Sequence, residues 1–235
     1  MNLILLFEND FVADGEVRLT GRRRDHVLSV HRAAPGDELT VGIAGGRIGR
    51  GRIVRIDGES IDMTVALDAN PPAPIPITLI LAVPRPKVLN RVIGAVASLG
   101  IKRVFLINAW RVEKSYWKSP RMSEENLRQQ IILGLEQGRD TILPSIETRR
   151  LFRPFVEDEL PDVARGTTAI VAHPYATEEC PRAVEGAITL AVGPEGGFIA
   201  AEIASFERAG MRPVTFGSRV LRVETAVAAL IGRLL

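Results

Sequence analysis

Five short, almost wholly apolar runs in the C-terminal two thirds of the chain limit its fold more than any other feature. They are Ile77 to Val83, Val104 to Asn108, Thr168 to Ala172, Ile188 to Val192 and Pro213 to Phe216. A strand with one wet face alternates apolar and polar residues, whereas a run that is apolar throughout fits a parallel strand covered on both faces. Between the runs lie helical segments, at Val88 to Leu99, Ser123 to Gln137, Ala200 to Ala209 and Val223 to Leu234. Ser123 suits an N-cap, Glu124 and Glu125 the positive helix start, and Gly138 the stop. Strands alternating with helices predict an α/β fold with a mostly parallel sheet.

The first 70 residues have a different texture. Leu3 to Phe7, Glu38 to Ile43, Arg47 to Ile56 and Ile61 to Leu67 read as short strands, punctuated by Gly45-Gly46, Asp57-Gly58 and Pro35-Gly36-Asp37. Arg24 to Arg32 reads as one short helix between them. Strands this short with turns this frequent predict a small β-barrel. Asn70-Pro71-Pro72-Ala73-Pro74-Ile75-Pro76 cannot enter a helix or a central strand. It is read as a stiff linker between a domain at 1–70 and a domain at 71–235.

Composition excludes several classes. No run approaches the ~18 apolar residues of a membrane span. The start, Met1-Asn2-Leu3-Ile4-Leu5, has neither a basic lead nor a cleavage site and is read as a strand, not a signal peptide. The one cysteine, Cys180, permits no disulfide or CxxC site within the chain, so a cytoplasmic setting is expected. His26, His31 and His173 have no metal-ligand spacing, so no metal is expected. The net charge is only +2, but nine arginines face three acids between Arg18 and Arg55. Nine lysines or arginines face one acid between Arg85 and Arg121. Such stretches suit a polyanion, or simply solvated faces in an arginine-rich chain.

Three loops carry the candidate chemistry. Gly193-Pro194-Glu195-Gly196-Gly197-Phe198 joins an apolar run to a helical segment, and its glycines let backbone amides approach a ligand. It lacks the GxGxxG pattern and the Lys-Ser/Thr pair of a P-loop, and the alternative is an ordinary tight turn. Gly217 to Ala226 follows another run and brings Arg222 and Glu224 to one loop; Thr225 or Glu224 is a possible cap of the last helix. His173 ends a third run, as a structural or a functional histidine. In a parallel sheet all three loops leave from one edge, where one pocket can be shared.

These motifs, at this spacing near the C-terminus, resemble the SPOUT (α/β-knot) methyltransferases, and within them the ribosomal RNA small subunit methyltransferase E family. Gly193 to Phe198 and Leu221-Arg222-Val223-Glu224-Thr225-Ala226 carry the likeness. Glu136-Gln137-Gly138-Arg139, Ser98-Leu99-Gly100-Ile101 and Asp25-His26-Val27-Leu28 support it. Ser98, Ser29 and Ile199 depart from the family's usual residues. The resemblance implies a C-terminal trefoil knot behind a PUA-like RNA-binding barrel, a homodimer, and methylation of a uridine N3 in 16S ribosomal RNA. It implies S-adenosylmethionine bound by His173, Gly193, Pro194, Glu195, Gly196, Gly197, Leu221, Arg222, Val223 and Thr225. Arg222 and Glu224 are then the candidate catalytic residues. Arg22, Arg23, Arg24, His26, Arg32, Arg85, Lys87 and Arg139 are the candidate RNA contacts. A knotted methyltransferase acting on another RNA, such as transfer RNA, and a non-catalytic RNA-binding protein remain the alternatives.

Overall fold

The computed structural model describes residues 2–235, which form two compact units. One takes in the chain up to Ala73 together with Ile132–Leu143; the other comprises Pro74–Ile131 and Pro144–Leu235. The break after Ala73 lies inside the proline-rich stretch, whereas Ile132–Leu143 groups with the first unit.

The first unit is a six-stranded mixed sheet. Its strands are β1 (Ile4–Leu6), β2 (Phe11–Ala13), β3 (Glu16–Leu19), β4 (Glu38–Ile43), β5 (Ile48–Ile56) and β6 (Ile61–Ala69), in the order β1-β4-β5-β6-β3-β2. Only β1 and β4 pair in parallel. In a flat sheet β1 and β3 would lie about 19 Å apart, four strand spacings. Yet Ile4 and Leu6 of β1 share one buried cluster with Val17 and Leu19 of β3, along with Val41, Ile53, Ile61 and Met63. The sheet therefore curls around its own apolar face. β2 and β3, three and four residues long, were not anticipated from the sequence. The expected helix at Arg24 to Arg32 begins earlier, as α1 (Gly21–His26), and runs on as a wider turn over Val27–His31.

The arginines of α1 hold this unit together. One Arg22 nitrogen donates to both carboxylate oxygens of Glu136, at 2.9 and 3.1 Å. Glu136 is buried, and its carbonyl accepts from the amides of Asn2 and Leu3. Arg23 donates to Asp10 and to the Leu5 carbonyl, and Arg24 to Asp25 and the Asp57 carbonyl. The Glu136-Gln137 motif thus has a structural duty in the first unit.

The second unit carries a six-stranded sheet that is parallel throughout. Its strands are β7 (Ile77–Ala82), β8 (Arg103–Ile107), β9 (Ser145–Arg149), β10 (Thr168–Ala172), β11 (Ile188–Val192) and β12 (Arg212–Val214), in the order β12-β10-β11-β7-β8-β9. Its helices are α2 (Pro86–Ser98), the first part of α3 (Glu124–Gly138), α4 (Phe152–Pro154), α5 (Leu160–Ala164), α6 (Ala200–Arg208) and α7 (Val223–Leu234). The Ser123 hydroxyl accepts from the Asn126 amide at 3.2 Å and caps α3. All five residues of β11 are buried. Successive side chains of a strand point to opposite faces, so both faces must be covered; β11 contacts α5 and α7. The last strand is shorter than the run Pro213 to Phe216: Phe216 lies beyond its end and is exposed. Among the described residues no helix is long and apolar enough to cross a membrane.

Arg22→Ala should leave Glu136 buried without its cation and lower stability by about 2–3 kcal/mol at neutral pH. Burial raises the Glu136 carboxyl above its ordinary 4.5, and Arg22 opposes that shift. A raised carboxyl costs stability as pH rises through the unfolded value, so the loss in Arg22→Ala should shrink toward about pH 4. Calorimetric melting of both proteins across that range checks the sign; a loss that grows on acidification would refute it.

Candidate active site

Three neighbouring strands end level. Ala172 at the end of β10 pairs with Val192 of β11 on one side and Val214 of β12 on the other. The loops that follow therefore leave the sheet side by side, and the His173 amide still reaches the Val214 carbonyl at 2.9 Å. β11 also pairs with β7, whose continuation brings Arg85 to the same edge. Together they wall a cleft of about 740 Å³. The carboxyl edge of a parallel sheet, where connections diverge, is where such folds hold ligands.

The glycine loop is fixed at its exit. Phe198 is buried against Phe206, 4.9 Å between ring centres, and Phe152 completes the aromatic cluster. Glu202, buried in the first turn of α6, accepts from the Ile199 amide at 2.9 Å. This is the acidic half of a capping box; Ile199 has no side-chain oxygen to supply the other half. A Cβ on Gly193 would stand 3.1 Å from the Phe198 nitrogen, and Gly197 adopts φ +70°, a region other residues enter at a cost. The loop lines the cleft with Gly193, Gly196 and Gly197, which carry no side chains, together with Pro194 and Glu195; the Arg111 side chain lies against Gly196. Glu195 accepts from the Arg85 amide at 2.9 Å.

The last loop enters the cleft through Leu221, Arg222, Val223 and Glu224. Arg222 is the N-cap of α7, so neither Glu224 nor Thr225 is. Glu224 is bonded to Arg91 of α2 at 2.9 Å. Its own backbone amide holds its carboxyl below the ordinary range, with further help from Arg91, so it stays ionised. Among the described residues no ion pair engages Arg222. Thr225 is exposed and does not line the cleft.

His173 lines the cleft, and its buried Nδ1 has no hydrogen-bond partner. Burial, then the charge of Arg111, pushes its pKa below the ordinary 6.5. An unpartnered buried nitrogen is costly unless a ligand meets it.

The candidate RNA contacts divide by environment. Arg22, Arg23 and Arg24 are engaged within the first unit, and His26 has a buried Nε2. Arg32 and Arg139 are exposed and both take left-handed backbone, φ 51° and 55°. In the second unit Arg85 lines the cleft and Lys87 is exposed nearby in sequence, in the first turn of α2. The sequence did not single out Arg91, Arg111 or Glu202. Arg91 and Arg111 carry no local motif, and Ile199 hides the capping box that would have marked Glu202. Among the described residues no group of three or more His, Cys, Asp or Glu is placed to hold a metal ion.

His173 should titrate below 6.5 in the free protein, and Arg111→Ala should raise the midpoint, because it removes a repelling charge. Imidazole NMR reads both; an unchanged or lowered midpoint in the variant would contradict the stated cause.

Comparison with known proteins gives the site its context. A family model described as an RNA methyltransferase domain matches residues 71–235. The ribosomal RNA small subunit methyltransferase E of Treponema pallidum is 30% identical over 233 residues, covering 96% of this chain and 88% of that protein. The protein of the same name from Mycobacterium bovis is 28% identical over 238 residues, covering 97% and 90%. A crystal structure of a ribosomal RNA small subunit methyltransferase E from Neisseria gonorrhoeae, bound to S-adenosyl methionine, shares the fold. Its TM-score is 0.77 at 23% identity, over 98% of this chain and 95% of that one. A putative methyltransferase from Legionella pneumophila, solved with bound SAM, gives 0.74 at 22% identity, over 97% and 95%. The α/β unit with its parallel sheet and the curled mixed sheet are thus those of an established fold, and the chain belongs to the RNA methyltransferase family and, within it, to the ribosomal RNA small subunit methyltransferase E family.

Proposed function

We propose that this protein transfers a methyl group from S-adenosylmethionine to N3 of a uridine in 16S ribosomal RNA. The observation that carries the reading is the convergence of the His173, Gly193–Gly197 and Leu221–Glu224 loops on one cleft. In this reading the C-terminal segment is knotted, residues 1–70 are a PUA-like RNA-binding barrel, and the enzyme is a cytoplasmic homodimer. Family membership supports each of these.

The residues present fit the cofactor. Gly193, Gly196 and Gly197 expose backbone to an adenosyl or methionyl group, His173 Nδ1 offers a buried polar atom without a partner, and the arginines of the cleft suit a carboxylate. The cofactor supplies an electrophilic methyl on a sulfonium.

Uracil N3 carries a proton and becomes a good nucleophile only when that proton leaves. The site must hold the ring in line and stabilise the negative charge that spreads over O2, N3 and O4. Arg222, in the cleft and in no ion pair among the described residues, can direct several donors at that charge. Glu224 is too weak a base to take the proton unaided. It holds Arg91 and adds its charge beside Arg222. Arg32, Arg85, Lys87 and Arg139 would grip phosphates, which gives affinity and register without reading sequence. A stacked or paired uridine must first be flipped out.

Calorimetric titration with S-adenosylmethionine should show micromolar or tighter binding. Gly196→Val with Gly197→Val should abolish it: a side chain at 196 meets Arg111, its Cβ already 2.8 Å from Arg111 Cδ, and one at 197 strains the backbone. Arg222→Ala should lower kcat for methyl transfer by about 100-fold or more in a folded protein. Full activity in that variant would remove Arg222 from the mechanism. Absence of cofactor binding by folded wild type, with and without RNA, would leave the RNA-binding alternative.

A further inference from the structure

Trp110 is 79% exposed, an unusual position for the largest side chain. It is not exposed by looseness. Its amide donates to Glu202 Oε1 at 2.7 Å, and the Val112 amide closes the turn on the Ala109 carbonyl at 3.0 Å. Arg111, the next residue, donates to the Gly196 carbonyl and lines the cleft. Glu202 thus pins the indole's backbone and the end of the glycine loop with one carboxylate, its two oxygens serving Trp110 and Ile199. The other tryptophan is already engaged: Trp117 Nε1 donates to Asn108 at 2.9 Å, and the Arg150 guanidinium lies 5.5 Å from its ring.

Charge decides what an indole held here would meet. The cleft is lined by five arginines, Arg85, Arg91, Arg111, Arg219 and Arg222, against two carboxylates. Glu224 is paired with Arg91 and Glu195 accepts from the Arg85 amide, so the arginines remain in excess. A polyanion suits that surface. Among polyanions, one with aromatic bases suits an exposed indole whose neighbour in the chain, Arg111, lines that cleft, since every base presents a π-face. We propose that Trp110 is the stacking platform on which a base of the substrate RNA rests as the strand enters the cleft. This assignment rests on the RNA methyltransferase reading above. The pinned turn means that little backbone order remains to be imposed when the base arrives.

The test uses the whole protein. Trp117→Phe leaves Trp110 as the one tryptophan of a chain that has two. Titration of that variant with a single-stranded oligouridylate should quench its emission saturably. Trp110→Ala should bind the same RNA about 5- to 150-fold more weakly, and Trp110→Phe should keep most of the affinity. S-adenosylmethionine affinity and sedimentation should be unchanged in both. RNA that binds without quenching, an unweakened Trp110→Ala, or no saturable binding at all would overturn the assignment. So would a change of oligomeric state in Trp110→Ala with RNA affinity intact, which would place the indole between copies of the chain. Methyl transfer is scored separately. Wild type that binds RNA through Trp110 but transfers no methyl would sink the catalytic reading alone, and full transfer by Trp110→Ala at unchanged KM would sink the stacking role alone.

Discussion

Everything in the candidate site depends on the place of β11 between β10 and β7. Parallel pairing on both sides aligns Val192 with Ala172 and with Leu81, so the glycine loop, the His173 loop and the approach to Arg85 leave from one level. A shift of one residue in either pairing would turn every side chain of β11 to the opposite face. Because both faces of β11 are buried, the register is held by packing as well as by hydrogen bonds. The strand is thus a fixed reference for loops whose own residues are mostly glycine and proline.

From that reference, two buried anchors carry position outward to the reacting region. Phe198 holds the glycine loop by its aromatic neighbours, and Glu202 holds both that loop's exit and the turn at Trp110. The Arg91–Glu224 pair joins α2 to the start of α7, beside Arg222. Rigid backbone with few side chains leaves room for a ligand, and the surrounding arginines set the sign of the potential. Anchored backbone suits a site that must hold two reactants in line.

How much of this was legible in the sequence follows from burial. β10 and β11 match their apolar runs residue for residue, because strands inside a parallel sheet carry no charged residue and only one threonine each, Thr168 and Thr189. β9 was invisible for the opposite reason: it is an edge strand, Ser-Ile-Glu-Thr-Arg, whose charged residues pair with one another and with Glu159. The helical stretch over Phe152 to Ala164 was hidden by Pro154 and Pro161 and by a wide turn between them. At the site, loops with a glycine signature could be read. Arg91, Arg111, Glu202 and Trp110 could not, since their roles arise from contacts 80 or more residues away in sequence. The arginines of α1 show a demand that a basic cluster does not reveal in the sequence: Arg22 and Arg23 meet acids of their own unit.

The most direct test of the central claim is nucleoside mass spectrometry of 16S ribosomal RNA, naked and within small subunits, from a strain lacking this protein. The RNA is incubated with the protein and S-adenosylmethionine carrying an isotopically labelled methyl group. The account predicts that labelled 3-methyluridine appears, and that it does not appear with the Gly196→Val and Gly197→Val protein. Label on a different nucleoside, or none with a folded protein that binds the cofactor, would contradict it.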